Sequence, residues 1–440
     1  MSERVVMPQH TRTGQLRWMF LAAPLAGALV LAGCAGGSDD NGGGDGGATG
    51  EPGNAGFSVM VAQANDEDDF YAQMLEKYSE ETGTEIEVIP YPSDAYNTQV
   101  TTQLQAGNAA DVMILAPGTG QPISVVTLAE AGFLEPLNDS SASLVPAGAE
   151  QEFEVDGAIY AQPTALTPVG MVFNVTAADE VGVAEYPSTY EELLEACTTA
   201  RDGGKSFTVL AGGIPFNTGL FSMLVSATRV YAEDPDWNAQ RAAGDVTFAD
   251  SGWRDVLEDI VEMNDSGCFQ DGAAGGTFDN ITAGLGGGTS LTASVPGSAA
   301  ASIMQATGAT LNVQAFPPAQ GQEAFTVTGA NYAWAINASS DDAVKASAQS
   351  FLDWVAEPEN AKEYAELSGA VPITGIVTDE LLPQFEPIGE LLSSGSYAGL
   401  PNATWPNPAV YEALGSGVQG LLTGQSTVDS VLESMDAAWG

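Results

Sequence analysis

The sequence predicts an α/β fold with two lobes, each a mostly parallel sheet flanked by helices. Between residues 57 and 130, strand-like stretches alternate with amphipathic helix-like stretches, and this β-α-β-α-β order is typical of a parallel sheet. The chain of 440 residues is also long for one core, since single hydrophobic cores rarely grow beyond about 250–300 residues. Two lobes are therefore expected.

Local patterns define the first elements. Residues 57–62 are apolar enough for a strand, and the helix that follows begins in the acidic run 66–69, where negative charge suits a helix N-terminus. Gly83 ends that helix. A second strand at 85–89, a helix from Ser93 to Gly107, a third strand at 111–115 and a helix near 121–130 complete the series. Ligands of such sheets bind at the carboxyl ends of the strands.

The pattern changes after residue 150. Residues 152–155 and 158–161 flank Asp156-Gly157, a favoured two-residue hairpin turn. Pro163 and Pro168 bracket a short segment that we interpret as a crossover between the lobes. Further helices are predicted at 188–197, 218–231, 252–265, 342–356, 359–367, 408–422 and 427–438.

The N-terminus has the order of a bacterial lipoprotein signal. Three arginines precede an apolar run from 18 to 31, and Leu31-Ala32-Gly33-Cys34 resembles a lipobox. Residues 1–33 are therefore predicted to be removed and Cys34 lipidated, which would anchor the protein to the outer face of the cell membrane through lipid alone. The alternative is an uncleaved helix with an incidental cysteine, although a membrane span needs roughly 20 apolar residues. Residues 34–56, rich in glycine and aspartate, are expected to form a flexible tether.

The charge balance excludes several functions. The chain carries 11 basic and 58 acidic residues, a net charge of −47, and its single histidine, His10, lies in the predicted signal. A mature protein without histidine has no Ser/His/Asp or Cys/His nucleophile and no histidine-ligated metal. Nucleic acid is not expected as a partner, because phosphate binding needs a basic surface. An adaptation to saline surroundings and an ordinary acidic exported protein explain the charge equally well.

Several stretches resemble the extracellular solute-binding proteins of ATP-driven importers, the group that includes maltose- and oligosaccharide-binding proteins. They follow one another in the family's order: YSEETG (78–83), LQAGNAADV (104–112), AEAGFLEPL (129–137), GAIYAQP (157–163), FN (173–174), PSTYEEL (187–193), WAI (334–336) and SGAVP (368–372). Two departures occur: Ala110 replaces the family's usual proline, and residues 291–298 lack a tryptophan that is frequent there. The second departure touches a region that commonly faces the ligand, so the sugar's identity cannot be carried over.

The resemblance implies a periplasmic-binding-protein-like fold whose two lobes are joined by a multi-segment hinge and close on a small polar ligand. We expect lobe 1 to comprise 57–165 with 277–330, and lobe 2 to comprise 166–276 with 331–440. The implied function is capture of a mono- or oligosaccharide for the permease subunits of an ABC importer, by a monomer without catalytic activity, cofactor or metal. A surface glycosidase with paired carboxylates and a binder of a non-sugar solute remain alternatives.

Candidate ligand contacts come from loops near the expected cleft, because amides and carboxylates bind sugar hydroxyls and aromatic rings stack on sugar faces. Trp405, in a Pro/Asn-rich loop, is the predicted aromatic platform. The other candidates are Asn65, Asp66, Asp111, Thr119, Asn331 and Tyr332.

The two cysteines that remain after lipidation are expected to form a disulfide. Cys197 and Cys268 both fall in the predicted second lobe, and an even number of cysteines outside the cell favours pairing. Two buried free thiols are the alternative.

Overall fold

The structure is a computed structural model that describes residues 55–63, 70–146, 149–330, 332–373 and 381–440. The predicted signal, Cys34 and the tether lie outside these ranges, as do Asn65, Asp66 and Asn331. None of the helices in the described ranges combines the length and hydropathy needed to cross a bilayer.

The strands, in chain order, are β1 (Phe57–Gln63), β2 (Ile86–Pro92), β3 (Val112–Leu115), β4 (Glu154–Val155), β5 (Ala158–Ile159), β6 (Gln162–Pro163), β7 (Ala165–Asn174), β8 (Ser206–Val209), β9 (Ser290–Pro296), β10 (Leu311–Gln314), β11 (Thr326–Ala330), β12 (Ala333–Ile336), β13 (Val371–Pro372) and β14 (Tyr397–Ala398).

The helices are α1 (Phe70–Thr82), α2 (Ser93–Ala106), α3 (Val125–Glu130), α4 (Asp139–Ala142), α5 (Val175–Asp179), α6 (Tyr190–Asp202), α7 (Pro215–Ser226), α8 (Trp237–Ala243), α9 (Trp253–Asp265), α10 (Phe278–Gly286), α11 (Gly297–Thr307), α12 (Asp342–Val355), α13 (Pro358–Ser368), α14 (Gly389–Ser394), α15 (Pro408–Leu422) and α16 (Val428–Trp439). Short 3₁₀ turns include Glu150–Glu152 and Pro401–Thr404.

The first lobe is built on a sheet in the order β2-β1-β3-β12-β6. β1 pairs in parallel with both β2 and β3, as the alternating sequence pattern predicts, whereas β12 pairs antiparallel with β3. α1, α2, α12 and α13 cover this sheet, and their apolar faces form one core with it. The predicted hairpin is confirmed as β4 and β5, and Asp156 and Gly157 take the positive φ angles that its turn requires.

The second lobe is built on β14-β11-β7-β9-β8, with β10 and β13 also paired to β7. Apolar clusters cover both faces of this sheet: one joins it to α6, α7, α9, α15 and α16, and the other joins it to α10 and α11. The mixed α/β architecture with two sheets and separate cores confirms the predicted fold class. The prediction that each sheet is mostly parallel is wrong, because β7 pairs antiparallel with β9, β10, β11 and β13, and β12 pairs antiparallel with β3.

The lobe boundaries predicted from the sequence are wrong in the C-terminal half. Residues 277–330, expected in lobe 1, supply α10, α11 and strands β9 to β11, which pair with β7 or β8 in the second sheet. Conversely β12, α12 and α13, expected in lobe 2, belong to the first lobe, because β12 pairs with β3. The chain therefore returns to lobe 1 once before it finishes in lobe 2.

Cys197 and Cys268 form a disulfide within the second lobe, as expected from the sequence. Their Cα atoms are 4.7 Å apart, and the bond ties α6 to the turn that follows α9. Both residues are fully buried in the same apolar cluster. The bond cross-links two segments of the helical layer of this lobe. Neither segment lines the interlobe pockets described below.

Candidate ligand site between the lobes

Three chain crossings connect the lobes within the described ranges. Thr164 alone separates β6 of the first sheet from β7 of the second, and two residues separate β11 from β12. The third crossing leads from α13 to β13, which pairs with β7 beside the first crossing. These short connections lie together, so the lobes can rotate about one hinge region.

The lobes enclose two adjoining pockets that share Gln121, Leu400 and Asn402. The outer pocket lies between Gln121 of lobe 1 and Phe216 and Tyr411 of lobe 2. Gln121 follows the carboxyl end of β3, and Phe216 lies beyond the carboxyl end of β8. The pocket thus lies beyond the carboxyl ends of the strands, where ligands of α/β sheets bind.

Phe216 and Tyr411 form an aromatic pair on the lobe 2 side of the outer pocket. Their ring centroids are 6.2 Å apart, and the Tyr411 hydroxyl donates a hydrogen bond to the Phe216 carbonyl oxygen (2.7 Å). Burial raises the pKa of Tyr411 above its usual value, so the phenol remains a donor. Phe216 is nevertheless 48% exposed, which is unusual for phenylalanine next to a well-packed core.

Local sequence explains why these rings meet. Pro215 starts α7 at a position where its missing N–H costs no hydrogen bond, and this places Phe216 in the first turn. One turn later, a Cβ at Gly219 would lie 2.7 Å from the Tyr411 ring, so only glycine lets α15 approach α7 so closely. Phe278 at the start of α10 is 44% exposed and extends the aromatic surface, with its ring centroid 6.5 Å from that of Phe216.

The lobes also touch directly beside the pockets. The Thr119 amide donates to the Ala403 carbonyl oxygen (2.7 Å), and the Thr119 hydroxyl donates to the carbonyl oxygen of Trp405. A Cβ at Gly118 would lie 1.7 Å from the Ala403 oxygen, so a glycine is needed for this backbone-to-backbone approach. Thr119, a predicted ligand contact, lies near the site, but its hydroxyl binds lobe 2 main chain in this conformation.

Glu152 is the one carboxylic acid in the described lining of the inner pocket. The residue is 9% exposed, and no described residue donates a hydrogen bond to its carboxyl group. Burial alone raises the pKa of Glu152 to about 7. The sequence analysis did not identify Glu152, because an acidic residue just before a hairpin is usually solvated.

Trp405 is not an exposed platform, and this prediction is wrong. Its side chain is 0% exposed and packs in lobe 2 against Phe248 and Trp253, with ring centroids 5.6 Å and 5.7 Å away. The Pro/Asn-rich loop around it suggested solvent exposure, but the ring turns inward to the core. The aromatic side chains that line the outer pocket are instead Phe216 and Tyr411.

Asp111 lies at the amino-terminal end of β3, opposite to the pockets, so its assignment as a ligand contact is also wrong. It precedes β3, whereas the pockets lie beyond the carboxyl end of that strand. Its carboxylate accepts hydrogen bonds from the amide and hydroxyl of Ser58 (2.8 and 2.7 Å) and from the hydroxyl of Ser340 (2.6 Å). Asp111 therefore joins the start of β1 to the loop after β12.

Tyr332 lies in the second crossing, between β11 and β12, and packs against the lobe 1 core. Burial raises its pKa above the usual value. Its contact with a ligand remains a prediction, since it lines neither of the two interlobe pockets.

The fold and the pocket define a class: a two-lobed protein that holds a small molecule in a cleft between lobes joined by a hinge. The model of the bacterial extracellular solute-binding protein family matches residues 73–384. The chain belongs to this family. No curated protein matches the chain at the sequence level.

Solved structures with the same fold include several carbohydrate-binding proteins. A chitin oligosaccharide binding protein superposes with a TM-score of 0.73 at 21% identity, covering 87% of this chain and 98% of that one. The solute-binding protein RafE in complex with raffinose gives 0.70 at 17% identity, covering 87% and 98%. The acarbose-binding GacH receptor of Streptomyces glaucescens gives 0.69 at 16% identity, covering 88% and 97%. At these identities the likeness shows the fold.

Proposed function

We propose that this protein is a lipid-anchored extracellular receptor that captures a carbohydrate by lobe closure and delivers it to the permease of an ABC importer. The observation that carries the proposal is the aromatic pair of exposed Phe216 and partly buried Tyr411 at the pocket between the lobes. An aromatic face suits the C–H surface of a sugar ring, and the amides of Gln121 and Asn402 suit its hydroxyl groups. The chitin-oligosaccharide- and raffinose-binding proteins of the same fold make a sugar the favoured ligand class.

Hydrolysis is less well supported than binding. Glycosidases of the usual type need two carboxyl groups facing each other across the scissile bond. Among the described residues that line the two pockets, Glu152 is the one carboxylic acid. A stoichiometric binding isotherm without product formation from oligosaccharides would support the receptor.

Phe216→Ala should weaken sugar binding by about 1–3 kcal/mol, or about 5- to 150-fold in Kd, because the substitution removes one stacking face. A thermal-shift panel of mono- and oligosaccharides first identifies a stabilising sugar, and calorimetry then gives the Kd of each variant. Phe278→Ala should lower the affinity only for ligands that are long enough to extend past Phe216.

The matched control is Leu367→Ala, which removes another exposed apolar side chain, on α13 of lobe 1, away from both pockets. It should bind the sugar as the wild type does. Unchanged affinity of Phe216→Ala would refute the site, and a panel without any stabilising sugar would refute the carbohydrate assignment.

Cys34→Ser should release the protein from the membrane fraction, since the thiol that would carry the lipid is gone. Cell fractionation and metabolic labelling with a radioactive fatty acid measure the effect. Ser38→Ala, four residues into the predicted tether, should stay membrane-bound and labelled. Equal membrane retention of Cys34→Ser would contradict lipid anchoring.

A further inference from the structure

Glu152 has an environment that the ligand site does not explain. Its segment belongs to lobe 1, where the amide of Gly118 donates to the Glu152 carbonyl oxygen (2.8 Å). Its carboxyl group points toward Gly399 of lobe 2. A Cβ atom built on Gly399 would lie 3.2 Å from Glu152 Oε1. The Glu152 side chain therefore occupies the space between the lobes that a side chain at position 399 would need.

The described segments that pack around this carboxyl group hold no opposite charge. Residues 116–121 of lobe 1, strand β11 at the hinge and residues 398–405 of lobe 2 contain no ionisable side chain. The nearest acids in sequence, Glu150 and Glu154, are exposed, and Glu130 ends the adjacent α3. An ionised carboxylate in such a place loses hydration without gaining a partner.

We propose that Glu152 is a proton-controlled contact between the lobes: its neutral form permits the closed packing at the hinge end of the cleft, and its ionised form opposes it. The proposal concerns the lobe contact itself and does not depend on which solute is bound. Opening exposes the group to water and removes the burial that disfavours its charge.

The direction of the pH effect follows from linkage. With burial raising the pKa from its ordinary value of 4.5 to about 7, closure is accompanied by proton uptake between these two values. The stabilisation of the closed form by the proton is fully present below pH 4.5 and is lost as the pH rises through 7. Between pH 5.5 and 8.5 the closure equilibrium should fall by up to about 30-fold.

Hydrogen exchange measures this equilibrium without a ligand. The Thr119 amide is hydrogen-bonded across the lobe contact, so its exchange, corrected for the intrinsic pH dependence, reports opening. In the purified full chain, protection of peptides covering 116–121 and 400–405 should fall by up to about 30-fold from pH 5.5 to 8.5. A flat wild-type profile would overturn the proposal.

Glu152→Gln keeps the shape of the side chain and cannot ionise. In this variant the hydrogen-exchange protection of the two peptides should be independent of pH and remain high at pH 8.5. Glu152→Leu provides a second neutral variant if the amide packs poorly. Glu154→Gln removes the same charge from an exposed position two residues away and should retain the wild-type profile. Persistence of the wild-type pH dependence in the neutral Glu152 variants would refute the assignment.

Discussion

Trp405→Ala should lower the free energy of unfolding by about 3–5 kcal/mol, the range for truncating a buried tryptophan or phenylalanine to alanine. The ring is fully buried among Phe248 and Trp253, which are also fully buried, so the substitution leaves a cavity in the lobe 2 core. Urea unfolding followed by circular dichroism gives the change in midpoint, and an unchanged m-value attributes that change to stability.

Trp354→Ala is the matched control. Trp354 is only partly buried on α12 of lobe 1, where its indole N–H donates to Glu81 (2.9 Å). Its truncation should cost less than that of Trp405, since less apolar surface returns to water. An unchanged stability of Trp405→Ala, combined with a loss of sugar affinity, would return Trp405 to the ligand site.

Local sequence patterns predicted the elements whose contacts are close in sequence. The parallel pairing of β1 with β2 and β3 followed from alternating strands and helices, and the β4-β5 hairpin followed from the Asp156-Gly157 turn. Each of these features depends on neighbours within a few dozen residues. The fold class could therefore be predicted, and the ordered motifs added the family.

The lobe assignment failed because it depends on distant pairing. β12 is as apolar as a buried strand of either sheet, and only its contact with β3, more than 200 residues earlier, places it in lobe 1. No local signal distinguishes β12 from β11, which pairs with β7 instead. Two strands separated by two residues thus belong to different lobes.

The assignments of Asp111 and Trp405 failed for two separate reasons. Asp111 begins the predicted strand 111–115, so the rule that ligands bind at carboxyl ends already argued against it. Phe216 would have been found by the same rule if β8 had been recognised, because it lies in the first turn of the proline-initiated helix that follows that strand. The burial of Trp405, in contrast, depends on tertiary packing with α9 and cannot be deduced from its loop.

Removing the Cys197–Cys268 disulfide should lower the free energy of unfolding by about 4 kcal/mol. The bond closes a loop with a sequence separation of 71, and the chain-entropy model assigns this amount to the restriction of the unfolded chain. Cys197→Ala and Cys268→Ala, each in a Cys34→Ser background, provide the variants for urea unfolding. This background leaves two of the three cysteines of the chain, so thiol counting is unambiguous.

The two single variants and the double variant together test the bond itself. Each single substitution already removes the cross-link, so the double variant should be little less stable than either single one, a strong departure from additivity. Two unbonded buried cysteines would instead contribute separately, and the two costs would add. A thiol titration of the unreduced, denatured Cys34→Ser protein should find no free thiol, and two reactive equivalents would rule the disulfide out.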